Sequence, residues 1–83
     1  MKRTPKAPHP VEAHDAEIIA NAVHFTAFQF RGRGDRRKID EIPNVTVANA
    51  RALEMLKERK DKPVMIYAVD AKGRQALSHT VEA

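Results

Sequence analysis

Eighty-three residues, no cysteine and a formal net charge of +4 bound what this chain can be. The length allows one domain with a small core, and the missing thiols exclude disulfide staples, thiolate metal sites and cysteine nucleophiles. Fifteen Lys and Arg against eleven Asp and Glu give a weak attraction to polyanions, too modest to indicate a nucleic-acid protein on its own.

The opening MKRTPKAPHP carries Lys2, Arg3 and Lys6 among Pro5, Pro8 and Pro10. Without apolar area to offset ordering entropy it reads as a disordered arm, assigned to residues 1–16, with one folded domain over 17–83. No apolar stretch follows the early cations, so it is not a signal peptide, and no run approaches the ~20 residues of a membrane span. The expectation is a cytoplasmic protein with no membrane contact. VEAHDAEIIANA, 11–22, fits either a short helix or a frayed extension: Ile18, Ile19, Ala22 and Val23 have helical spacing, and Glu12, Asp15 and Glu17 suit early turns.

AVHFTAFQF, 22–30, is rich in strand formers. Val23, Phe25 and Ala27 point one way, and His24, Thr26, Phe28 and Phe30 the other, so both faces are partly covered or a bulge shifts the phase near Ala27. RGRGD follows, with Gly32 and Gly34 supplying the positive φ that a hairpin turn needs. RRKIDEI, 36–42, carries charge on both faces, as an edge strand does to discourage pairing with other molecules.

Pro43 and Asn44 end that strand. Thr46 is the expected N-cap of a helix over VANARALEMLKERK, with Ala48, Asn49, Ala52, Leu53 and Leu56 on the inner face. Arg51, Glu54, Lys57 and Glu58 face outward, Lys57, Arg59, Lys60 and Lys62 suit the negative helix end, and Pro63 forbids continuation. VMIYAV, 64–69, reads as a central strand, Asp70-Ala71-Lys72-Gly73 as a turn, and RQALSHTV, 74–81, as a last strand. There Leu77 and Val81 share one face and Ala76, Ser78 and Thr80 the other.

The order β-β-α-β-β predicts a small α+β domain. Its four-stranded antiparallel sheet has strand order 2-1-3-4 and a right-handed crossover, with a short N-terminal helix as an optional addition. One helix covers one face. Phe25, Phe28, Phe30, Met65 and Tyr67 are the candidates for the other, where a second copy or a protein partner would dock unless the N-terminal segment covers it.

RGRGDRRK, 31–38, is the densest basic stretch. Arg31, Arg33, Arg36, Arg37 and Lys38 on a tight turn can reach phosphates bidentately, although a solvated hairpin tip needs the same residues. The triplet Arg33-Gly34-Asp35 is short enough to arise by chance, and Asp35 suits a local turn hydrogen bond. The histidines His9, His14, His24 and His79 do not show ligand spacing, and only His24 and His79 could face each other across the sheet. Ser78 beside His79, and Asp40 beside Glu41, should point to opposite faces of a strand, which excludes a dyad. The cluster KERKDK, 57–62, is explained by helix-end electrostatics, and it extends a basic surface if the hairpin 31–38 lies nearby. The functional expectation is a non-enzymatic interaction domain, without cofactor or metal, that binds either an unknown protein partner or a second copy of itself, as a homodimer, through the apolar sheet face. The alternative is binding of nucleic acid or another polyanion through the hairpin 31–38.

Overall fold

Six elements follow one another: α1 (Pro10–Ala20), β1 (Ala22–Gly32), β2 (Asp35–Ile42), α2 (Val45–Glu58), β3 (Val64–Asp70) and β4 (Gln75–Val81). The computed structural model describes the backbone of residues 10–83 and the side chains from His14 onward. The strands form one antiparallel sheet in the order β2-β1-β3-β4, the α+β arrangement expected from the sequence. Most of the arm assigned to residues 1–16 lies outside the described residues, but α1 begins inside it, at Pro10. The segment left open between helix and extension is therefore a helix, starting at a residue whose fixed φ suits a first helical position.

One face of the sheet carries the core. Phe25, Ala27, Val64, Ile66 and Ala68 meet Ala48, Ala52, Met55 and Leu56 of α2. The alanines on both sides allow helix and sheet to approach closely, and partly buried Ile19 of α1 packs against the same cluster. On α2, Met55 is buried and Leu53 is 55% exposed, the reverse of the expected inner face. The buried set runs 48, 52, 55, 56, so Leu53 falls one position round the helix. The N-cap is Asn44, not Thr46: its Oδ1 accepts from the Val47 N–H at 2.9 Å, and its carbonyl from Ala48 at 3.0 Å. Asn caps as well as Ser or Thr, and Asn44 has the extended backbone of an N-cap residue.

Of four register shifts among the described residues of the sheet, two decide which face the apolar residues of β2 and β4 take. Phe25 pairs with Ile42 and Ala27 with Ile39, so β2 has one residue more than β1 across this stretch, where Glu41 takes a positive φ of 57°. Ile39 and Ile42, three apart, would face opposite ways in a regular strand; the bulge turns both onto the core. In β4 the pairing shifts between Ile66↔His79 and Tyr67↔Leu77, leaving Ser78 as the extra residue. Val81 therefore packs on the core side while Leu77 faces away, although strict alternation puts them together. His24 and His79 do not meet, since their strands are not neighbours.

Two polar residues fasten the connections. Gln29 on β1 is fully buried; its Nε2 donates to the carbonyls of Arg59 (3.0 Å) and Lys62 (2.8 Å), and its Oε1 accepts from Arg31 Nε (2.6 Å). One side chain thus holds the whole α2–β3 loop against the sheet. Asp70 organises the β3–β4 hairpin: Oδ1 accepts from the N–H groups of Lys72 and Arg74, and Oδ2 from Arg74 Nε at 2.8 Å. Gly73 takes the left-handed position that the turn requires, at φ 83°.

Gln29→Leu strands two carbonyls and a guanidinium, and should lower unfolding free energy by about 2–4 kcal/mol in urea denaturation. A second expectation concerns pH. Burial works to raise the Asp70 pKa, but the Arg74 N–H, its guanidinium and the Lys72 N–H outweigh it and leave the carboxyl below its ordinary range. The stability it contributes is present above the unfolded value of about 3.9 and lost as pH falls toward the folded one. The urea midpoint should drop over that acid range, and Asp70→Asn should flatten the drop.

Candidate binding face of the sheet

Directly paired residues share a face, so the register lays out the side of the sheet away from α2 row by row. Phe30 pairs with Arg36. The next row runs Lys38, Phe28, Met65, Thr80 across all four strands, and the one after runs Thr26, Tyr67, Leu77. Asp40 joins this row from β2, accepting from Thr26 Oγ1 at 3.0 Å. His24, Val69 and Gln75 form the row beyond.

This face is partly apolar and partly cationic. Phe30 is 52% and Leu77 45% exposed, while Phe28, Met65 and Tyr67 are half-buried. The Tyr67 hydroxyl reaches back to Met65 Sδ at 3.7 Å, so the ring leans along β3 over the sheet. Thr26, Phe28, Tyr67 and Gln75 form, with Arg36 and Lys38, a groove of about 430 Å³. That lies within the roughly 300–1,000 Å³ range of small-ligand pockets. Lys38 Nζ stands 3.9 Å from Asp40, a loose exposed pair, and Arg36 has no ion-pair partner among the described residues.

The structure divides the residues singled out in the sequence. Phe28, Phe30, Met65 and Tyr67 lie on the open face, joined there by Arg36 and Lys38. Phe25 does not; it belongs to the core under α2. Arg31 and Arg37 lie on the α2 side. Arg31 is only 15% exposed and is held by Gln29 and by Glu58 Oε1 at 2.7 Å, and Arg37 pairs with Gln29. The hydrogen bond from Arg31 holds the Glu58 carboxyl below its ordinary range; desolvation opposes it, and the charge of Arg37 adds to it. Arg33 sits exposed at the hairpin tip, away from the groove.

KERKDK does lie beside the hairpin, with Arg59 Nη1 donating to the Arg31 carbonyl at 3.4 Å. Glu58 pairs with Arg31 and Asp61 takes the Arg59 guanidinium with both oxygens at 3.1 Å, while Lys57, Lys60 and Lys62 have no ion-pair partner among the described residues, so the segment adds positive charge beside the hairpin. The Ser78 bulge overturns another expectation. Ser78 Oγ lies 2.9 Å from His79 Nδ1, and His79 Nε2 lies 2.7 Å from Asn49 Oδ1 on α2. With Asn49 accepting, the proton is on Nε2 and Ser78 donates to Nδ1. These bonds tie β4 to α2, apart from the open-face groove. Thr26 and Gln75 complete the groove unanticipated: Thr26 shares the parity of Phe28, but Gln75 enters only through the register of β4.

Comparison with protein-family models, curated proteins and solved structures finds no match for this chain. Among the described residues, no helix is long and apolar enough to cross a membrane.

The two sets of cations make separable predictions. Arg31→Ala removes the bond to buried Gln29 and should cost about 1–2 kcal/mol in urea denaturation, whereas Arg36→Ala should leave the midpoint almost unchanged.

Proposed function

We propose that this protein is a small, non-enzymatic cytoplasmic binding module whose ligand surface is the open face of the sheet and whose ligand is a polyanion. The observation that carries this reading is the juxtaposition of Arg36 and Lys38 with Phe28 and Tyr67 around one groove. A basic edge strand lends its cations to the same face on which the central strands present rings. Cations supply the long-range attraction, and rings supply short-range contact area once the ligand is seated.

The site is narrower than the hairpin as a whole. Arg31 and Arg37 are on the far side and Arg33 stands away from the groove, so Arg36 and Lys38 contribute the charge. Two phosphate contacts predict that affinity for a single-stranded polyanion falls roughly sevenfold between ~50 and ~200 mM salt. Fluorescence anisotropy with a labelled oligonucleotide measures this. Loss of binding in Arg36→Ala/Lys38→Ala, but not in Arg37→Ala, is the expected result. Salt-independent binding, or equal loss in both variants, would sink the reading.

A second reading is self-association through the same face. Phe30 and Leu77 favour it, as large apolar side chains about half exposed on one side of a small domain. Sedimentation equilibrium decides it: a dimer that Phe30→Ser dissociates, together with no polyanion binding, would put this reading first.

A further inference from the structure

We propose that the polyanion is a single-stranded nucleic acid, with a base stacked in the groove between Phe28 and Tyr67 and its phosphates on Arg36 and Lys38. This rests on the polyanion reading above and specifies its ligand.

The argument begins with where the rings stand. β1 and β3 are the two central strands, and Thr26 pairs with Tyr67 while Phe28 pairs with Met65, so Phe28 and Tyr67 are diagonal cross-strand neighbours. Diagonal neighbours stand roughly 7–8 Å apart at their Cα atoms, within reach of one planar ring that touches both side chains. Tyr67 leans along its strand toward Met65 and stays half-buried, so part of the side chain remains open to a ligand. Phe30, two residues on from Phe28 along β1, gives a further exposed ring on the same face about 6.5–7 Å away. An extended strand can set a neighbouring base on it.

Charge complementarity selects the occupant. Phe28 pairs with Lys38 and Phe30 with Arg36, so each ring on β1 has a cation beside it on the edge strand. A base on the ring therefore brings its backbone over β2, where the cations are. A purely apolar partner would bring no anion to these positions, and Arg36 would face it unpaired. The groove offers base edges a polar side chain as well: Gln75, exposed on β4, carries both a donor and an acceptor.

Single strands are favoured over duplex by geometry. In a duplex the base faces are already stacked on one another and only their edges reach a groove, whereas single-strand binders stack unpaired bases on aromatic rings. The major groove admits a helix or a two-stranded ribbon, whereas this face is four strands wide. Contacts here are with ring faces and phosphates, so little sequence preference is expected.

The test uses Tyr67 itself, the chain's single tyrosine in a protein without tryptophan. Its emission should be quenched by single-stranded DNA or RNA and not by inorganic polyphosphate. In anisotropy titrations Phe28→Leu and Tyr67→Leu should each weaken single-strand binding roughly tenfold, Tyr67→Phe should not, and polyphosphate binding should be unchanged in all three. Urea midpoints of the variants show that they fold, and tyrosine quenching in the wild type needs no variant. If duplex, single strand and polyphosphate bind alike and Phe28→Leu changes none of them, stacking is wrong while the polyanion reading stands. If wild type binds none of the three at low salt, both fall.

Discussion

A single buried amide organises this small domain. Gln29 lies on the core side of β1, fully enclosed, and its three hydrogen bonds leave no polar atom of its side chain unmatched. Two of them capture carbonyls of the loop that leaves α2, so the helix must return to the sheet at that point and β3 must start beside β1. The third orders Arg31, which in turn reaches Glu58 at the end of α2. Were Gln29 apolar, the core would gain contact area but the α2–β3 loop would lose its anchor, and desolvated carbonyls would oppose closure. The cost of burying an amide is offset because it fixes where the helix ends.

That anchor has a consequence on the other side. With α2 and Ile19 of α1 committed to one face, the opposite face of β1 and β3 keeps Phe30 exposed and Phe28, Met65 and Tyr67 half-buried, while Thr26 and Val69 are buried on it. A strand alternates, so each core residue has a neighbour that must point outward: Ala27 and Gln29 inward place Phe28 and Phe30 outward, and Ile66 inward places Met65 and Tyr67 outward. Aromatic side chains are costly to leave in water without a use. Here they adjoin cations from β2, and the combination suits an anionic ligand with planar groups better than it suits a purely apolar partner.

The edge strands are guarded differently. β2 is charged along most of its length and kinked at Glu41, both of which discourage pairing with another chain. β4 has no charged residue between Gln75 and Val81, and its protection is the Ser78 bulge together with the bond from His79 to Asn49. The same bulge puts Ser78 and His79 within hydrogen-bonding distance, which regular alternation forbids. A rule about strand parity holds only as far as the next extra residue.

Local chemistry in the sequence determined most of the architecture. Gly32 and Gly34 mark the first turn, Pro43 and Pro63 bracket α2, Asp70 to Gly73 mark the second turn, and the apolar run 64–69 marks a central strand. Once those are placed, antiparallel neighbours and a crossover leave few topologies, and the order 2-1-3-4 follows. What the tertiary structure alone decided is the phase of each strand and hence membership of the site. Whether Arg31, Arg36 or Arg37 faces a ligand depends on the register of the β1–β2 hairpin, which shifts between Phe30 and Gly32, and on a buried glutamine whose partners are thirty residues away. Spacing of 2 or 3.6 says which residues share a face only while the backbone is regular. Phe25 and Phe28 look alike in the sequence, and it is the docking of α2 on one side that makes the first a core residue and the second part of a groove.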